Sequence, residues 1–368
     1  MEPQVFDLIA LLVCRAPDLV SYDEMIATVW KGRIVSDSTL AARINAARGA
    51  LGDDGKRQSV IRTVPRRGVQ LVVSIEEGET PDVAAAPATP SRQTIRYTRS
   101  RDGTGLAWAE MGAGPPLMRA GHWLSHLEAD MNSPISRPLM ERQARAHRLV
   151  RYDPRGTGLS DRDVDFGSVG VEELADDLEA VADAAGLDRF PIYAISQSVP
   201  VALTFAARHP GRVSRLILNN GFVRGSSVRG ETGKTDAMIA MIRSGWGIPG
   251  SAFMRAIATL FVPQSTKEEL DSLAHTQAVS ASPDAAAQIR RIVGEIDVSA
   301  CLPAISCPTL VVHFTKDAVQ PAAESRELAK GIARAEMRLL DSPNHVLVPS
   351  DPVWDVAFTA FEDFLSGK

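Results

Sequence analysis

Cysteine is scarce in this 368-residue chain: Cys14, Cys301 and Cys307 are odd in number and share no C-x-x-C spacing. Neither a disulfide framework nor a zinc site is expected, and a reducing cytoplasm suits such usage. Long apolar runs are missing too. The run Leu8 to Val13 follows the acids Glu2 and Asp7, where a secretory signal wants a basic flank and a longer core. No segment reaches the ~20 residues needed to span a bilayer, so no membrane is expected as a partner. His122, His126 and His147 lack the ligand spacing and carboxylate company of a metal site, and no G-K-[ST] follows a glycine-rich turn. Neither a metal nor an organic cofactor is expected. Internal repeats are absent.

What remains is 45% hydrophobic and 23% charged with a net charge of −5, the composition of a globular protein with chain enough for two domains. The charge is unevenly spread. Residues 1–30 hold one Arg against five acids, whereas 31–67 hold nine Lys and Arg against three Asp. A local +6 in an acidic protein is the footprint of a nucleic-acid contact surface. Residues 76–93, EEGETPDVAAAPATPSRQ, show no apolar periodicity and are expected to be a linker between domains at 1–75 and 94–368.

In the smaller domain, Val5, Leu8, Ile9, Leu12 and Val13 follow the spacing of an amphipathic helix. Ser21 with Glu24 forms a capping-box pattern ahead of a second helix carrying Met25, Ile26, Val29 and Trp30. A third helix is expected over 37–51, burying Leu40, Ile44, Ala47 and Leu51 and turning Thr39, Arg43, Asn45 and Arg48 outward. Two strands, near Val60–Val64 and Val69–Val73, flank Pro65-Arg66-Arg67-Gly68. Three helices closed by a basic hairpin make a winged helix, which sets one helix in the major groove of double-stranded DNA.

The stretch LVSYDEMIATVWKGRIVSDSTLAARINAARGALGDDG…VIRTVPRRGVQLVV closely resembles the OmpR-type, CadC-like DNA-binding domain of transcriptional regulators. That resemblance implies that the third helix is the recognition helix. Thr39, Arg43, Asn45 and Arg48 then become candidates for base or phosphate contacts, and Arg62, Arg66 and Arg67 for wing contacts, as suits bidentate guanidinium groups. Gly49 departs from the family, which usually carries a basic or helix-favouring residue there. One phosphate contact is then missing, and a homodimer on two half-sites is expected.

From residue 94 strand-like and helix-like segments alternate. After a hairpin over 94–111, apolar runs recur at 116–120, 149–152, 191–195, 216–218 and 309–313, the pattern of a mostly parallel sheet covered on both faces. Ser196 follows one such strand and precedes a helix, which is the context of a nucleophile elbow. Ala194 and Ser198 stand where G-x-S-x-G has glycine, and both are small enough for the turn. Asp317 follows a later strand and His345 lies in DSPNHVLV, giving the order Ser, Asp, His. Asn219 and Asn220, at the other strand end that could hold the acid, carry no carboxylate. The backbone N–H groups of Trp123 and Gln197 are the expected oxyanion donors.

Residues 94–368 resemble the α/β-hydrolase family, most closely a subgroup with GHWLSHLE, RYDPRGTGLSD and SQSVPVAL that is fused to signalling modules. The resemblance implies a helical cap, placed at about 221–305. His122, Trp123, Trp246, Phe253, Met254, Leu260 and Phe261 are its candidate pocket residues, suited to an apolar acyl or ester-type small molecule. Two functions are weighed: a DNA-binding transcriptional regulator whose hydrolase domain senses such a ligand, with or without hydrolysing it; and a serine esterase or lactonase with an accessory winged helix.

Overall fold

The structure is a computed structural model, and it describes residues 3–30, 35–65, 67–73, 93–248 and 251–367. The expected linker, apart from Gln93, lies outside them, as does Arg66. The chain divides into two compact units, Met1–Ala86 and Pro87–Lys368.

The first unit runs α1 (Pro3–Arg15), β1 (Leu19–Ser21), α2 (Tyr22–Val29), α3 (Asp37–Ala50), β2 (Ile61–Val64) and β3 (Gly68–Leu71). The Ser21 hydroxyl accepts from Glu24 N at 3.1 Å, capping α2, and Ser36 caps α3 through Thr39 N. Val5, Leu8, Leu12, Met25, Leu40 and Ile44 meet in one core with Ile61 and Val69. Val13 and Leu51, expected inside, are 42% and 37% exposed. Strand β1 is too short for its alternation to be read from the sequence. It pairs antiparallel with β3, so the hairpin becomes a three-stranded sheet in the order β1-β3-β2. Gly68, at φ 147°, makes that pairing possible, because a Cβ there would strike the Val20 carbonyl.

The second unit is built on eight strands: β4 (Thr94–Arg99), β5 (Gly105–Met111), β6 (Pro116–Arg119), β7 (Arg148–Tyr152), β8 (Phe190–Ile195), β9 (Val213–Asn219), β10 (Thr309–Phe314) and β11 (Ala335–Leu340). Their order is β11-β10-β9-β8-β6-β7-β5-β4, antiparallel only at β4, β5 and β7. The edge strand β11 went unforeseen because Glu336 and Arg338 interrupt its apolar residues and none of the six is fully buried. Helices α4 (Leu127–Asp130) and α5 (Ser136–Ala144) follow β6, α6 (Val171–Ala184) follows β7, and α7 (Ser198–Arg208) follows β8. One core lies between the sheet and α6 and α7. A second is closed by α5 and by α13 (Trp354–Ser366).

Between β9 and β10 stand four helices, α8 (Thr232–Gly245), α9 (Ala252–Phe261), α10 (Lys267–Ser280) and α11 (Pro283–Glu295), with their own core around Trp246, Met254, Ile257 and Ala286. Helix α12 (Ala322–Gly331) covers β10 and β11. The loop 153–161 is a brace. Asp153 accepts from Ser125 Oγ, Leu127 N and Leu159 N, and Gly158, at φ 54°, leaves room for that carboxylate. Arg155, 2% exposed, joins it to α6 through Asp177 and to the β4–β5 turn through Asp102.

Candidate active site

Strand β8 ends in a sharp turn in which Ser196 sits at φ 54°, a left-handed conformation that a serine adopts only when its surroundings enforce it. Here the enforcement is visible. Ser196 N donates to Asn219 O at 2.9 Å, and Val199 N donates back to Ser196 O at 3.1 Å. The Ser198 hydroxyl both donates to Ile195 O and accepts from Ile195 N, each at 2.8 Å. Where the motif usually has glycine, this serine therefore clamps the elbow. Gln197 stands just ahead of α7, and among the described contacts neither its backbone N–H nor that of Trp123 donates to another group. The Gln197 amide, at the start of α7, favours negative charge.

His345 and Asp317 come together from two different loops. His345 Nδ1 lies 2.7 Å from Asp317 Oδ2, and both side chains are at most 1% exposed. The other aspartate oxygen accepts from Val319 N at 2.7 Å. His345 Nε2 is buried without a hydrogen-bond partner among the described residues. One face of the imidazole is thus fixed and its second nitrogen is left unspent. Asn220 ties these loops: its Nδ2 donates to His345 O and its Oδ1 accepts from Phe314 N, both at 2.8 Å. The sequence shows Asn220 only as a missing carboxylate; its bracing role depends on which strands are neighbours.

Ser196 and Gln197 open onto a cavity of about 270 Å³. Of the expected pocket residues, Trp123 and Phe261 line it, and Phe261 stacks edge-on against His345 at 5.5 Å. Trp246, Phe253 and Met254 do not; they form the core of the cap, with Trp246 packing edge-on behind Trp123 at 6.2 Å and donating to Ala281 O. That carbonyl, inside the cap, satisfies the buried Trp246 N–H and holds the indole there. His122 is also outside the lining. Burial of its ring, then the Arg119 cation, push its pKa down to about 3, so it stays neutral. The rest of the apolar wall comes from Leu260, another expected pocket residue, and from Met238, Ile242 and Ile257. Beside these apolar residues, Arg229, Lys234 and Arg290, which the sequence does not single out, share the lining.

The winged helix brings a second correction. Arg48, expected to face outward, is 5% exposed. Its guanidinium donates to Ile61 O, Thr63 Oγ1 and Asn45 Oδ1 at 2.7 to 3.3 Å, pinning α3 to β2. It flanks the buried stripe one turn beyond Ile44, and its long stem reaches a strand that helical periodicity does not reveal. Arg43 is half-buried and donates to Gln4 on α1. Thr39 meets the Ser36 hydroxyl, whereas Asn45, Arg62 and Arg67 are exposed.

Comparison with known proteins agrees with both halves. Residues 1–71 match the family "Transcriptional regulatory protein, C terminal", and residues 125–247 match "alpha/beta hydrolase fold". "Putative carbamate hydrolase RutD" of Rhizobium rhizogenes is 30% identical over 226 residues, covering 58% of this chain and 82% of that one. "Transcriptional activator CadC" of Escherichia coli is 33% identical over 96 residues, covering 24% of this chain and 19% of its own. Among solved structures, the enol-lactonase from Burkholderia xenovorans shares the fold, with a TM-score of 0.58 and 22% identity over 74% of this chain and all of that one. No helix among the described residues is long and apolar enough to cross a membrane. The chain belongs to the α/β-hydrolase family and carries, ahead of its hydrolase domain, a winged-helix domain of the transcriptional-regulator family.

Proposed function

We propose that this protein is a cytoplasmic, homodimeric transcriptional regulator whose winged helix, residues 1–75, binds double-stranded DNA and whose hydrolase domain, residues 94–368, binds and cleaves a small ester or lactone. The observation that carries the hydrolytic half is the Asp317–His345 pair with its unspent Nε2, together with the strained Ser196 at the cavity wall. In this reading His345 Nε2 takes the proton of Ser196 as its oxygen attacks the substrate carbonyl, and Asp317 holds the tautomer and stabilises the imidazolium. The N–H groups of Trp123 and Gln197 receive the oxyanion. His345 then protonates the leaving oxygen, and water releases the acyl group by the reverse steps. Relatives named for hydrolysing a carbamate and a semialdehyde support a small carbonyl substrate. For the DNA half, the family match and the exposed Arg62 and Arg67 of the wing are the support.

Labelling with a fluorophosphonate, located by mass spectrometry, tests the assembled nucleophile. Modification at Ser196, absent in Ser196→Ala, is expected; a folded protein that takes no label has no working nucleophile, and the hydrolytic half of the reading fails.

A further inference from the structure

Arg290 is one of the cavity charges that the proposed chemistry does not use. It comes from α11, and its Nη2 donates to Ser226 Oγ at 3.0 Å; that buried hydroxyl is in turn held by Thr235 Oγ1 at 2.7 Å. The guanidinium is therefore aimed. Among the described residues no carboxylate lies within 4 Å of it. Glu231 sits 3.5 Å from Arg229 Nε and 3.5 Å from Lys234 Nζ, so this acid is already shared by the two other cations. Arg229 donates to the Arg224 carbonyl, yet its Nε is buried with no hydrogen bond among the described residues. Three cations and one acid line the wall; Lys234 is 80% exposed and keeps its charge in water, so Arg229, Arg290 and the shared Glu231 leave an excess of one positive charge beside Met238, Ile242 and Ile257.

Such an excess is costly where water is partly excluded, unless an anion completes it. Burial and the neighbouring Arg229 cation both weigh against the charged form of Arg290. Gly225 fixes the loop that carries Ser226 and Arg229: its N–H donates to Ile296 O at 2.7 Å, and a Cβ there would collide with the Val293 and Gly294 carbonyls on α11. The loop is thus stapled to the helix that presents Arg290, which holds the backbones carrying Arg229 and Arg290 in fixed register at the cavity wall.

Building on the hydrolytic reading above, we propose that Arg290 and Arg229 form an anion subsite, so that the cognate ester or lactone carries a carboxylate remote from the scissile carbonyl. Guanidinium forks bind a carboxylate bidentately, which fixes register as well as affinity. The carboxylate thereby sets which carbonyl is presented to Ser196.

The test uses the full-length protein with Ser196→Ala and two ligands, 4-nitrophenyl hemiglutarate and the neutral 4-nitrophenyl pentanoate. Binding of each is measured by calorimetry, so the result does not depend on turnover. The hemiglutarate is expected to bind at least tenfold more tightly, and Arg290→Gln in the same background should bring the ratio close to one, with Arg290→Lys in between. Equal affinities in the protein that keeps Arg290 overturn the subsite, whether or not the glutamine variant folds. A ratio that survives Arg290→Gln also overturns the assignment to this arginine. If the preference holds but the wild-type enzyme cleaves neither ester and takes no fluorophosphonate, the hydrolytic reading fails and the subsite stands as that of a receptor.

Discussion

Asn220 carries no titratable proton and does not line the cavity, yet three parts of the site meet on it. Its N–H donates to Val312 O, its Oδ1 accepts from Phe314, and its Nδ2 holds the His345 carbonyl. Its φ of 46° is one that asparagine tolerates better than most side chains. It acts as a positioning residue, because it fixes where the histidine loop stands relative to the strand that leads to Asp317. Asn220→Ala should therefore lower kcat of ester hydrolysis by roughly ten- to a hundredfold while leaving KM within about twofold, the signature of misplacement at the reacting atoms. Steady-state kinetics decide; a change confined to KM would assign Asn220 to ligand binding instead. Arg48 makes a contrasting case. Its removal leaves the Ile61 carbonyl and Thr63 hydroxyl unpaired inside the small domain, a loss of roughly 2–3 kcal/mol for a charged donor. Arg48→Ala is expected to expose the amides of β2 and β3 to hydrogen exchange. Arg67→Ala, at an exposed wing position, should leave exchange alone and flatten the salt dependence of DNA binding by about 0.9 in log–log slope for the one phosphate lost.

At the scale of elements, the turn between α3 and β2 hangs on one carboxylate. Asp53 accepts from the N–H groups of Ser59, Val60 and Ile61 and from the Ser59 hydroxyl, all within 3.0 Å. Burial alone would raise its pKa, but these donors outweigh burial and hold it well below the usual carboxylate range. The sign of the linkage follows. A depressed native pKa stabilises the fold fully above the unfolded value near 4, and that contribution is lost as pH falls through the native value. The small unit should accordingly loosen below about pH 4, seen as amide exchange over β2 and β3. Asp53→Asn should show the loosened exchange already at pH 7 and little further change with acid; unchanged exchange at pH 7 would remove Asp53 as the brace. The same elements show what the sequence could convey. The helix cap at Ser21 and the buried faces of α1, α2 and α3 were legible because they depend on residues three or four apart. Strand β1, edge strand β11, the inward turn of Arg48 and the polar wall of the cavity were not, because each depends on a partner distant in sequence. The elbow, Asp317 and His345 sat in between: strand ends and chain order suggested them, and only the tertiary fold set Nδ1 beside Oδ2.

For the whole molecule, two domains on one chain require that ligand and DNA be coupled if the protein is a sensor. A tenfold effect of ligand on DNA affinity needs about 1.4 kcal/mol of coupling, and linkage then requires DNA to change ligand affinity by the same factor. The Ser196→Ala protein separates occupancy from chemistry, since it should bind a 4-nitrophenyl ester without consuming it. We expect its affinity for a DNA site selected from a random pool to shift with ligand at least fivefold, and its affinity for ligand to shift equally when that DNA is added. Both titrations are made on one preparation, so the two factors check each other. An ester that binds the variant but leaves DNA affinity unchanged, while altering it in the wild type, would place the signal in the acyl-enzyme or its product and not in occupancy. If neither protein responds although both bind ester and DNA, the two domains are thermodynamically independent towards such esters. The winged helix would then serve to bring a hydrolase to DNA without reading its ligand.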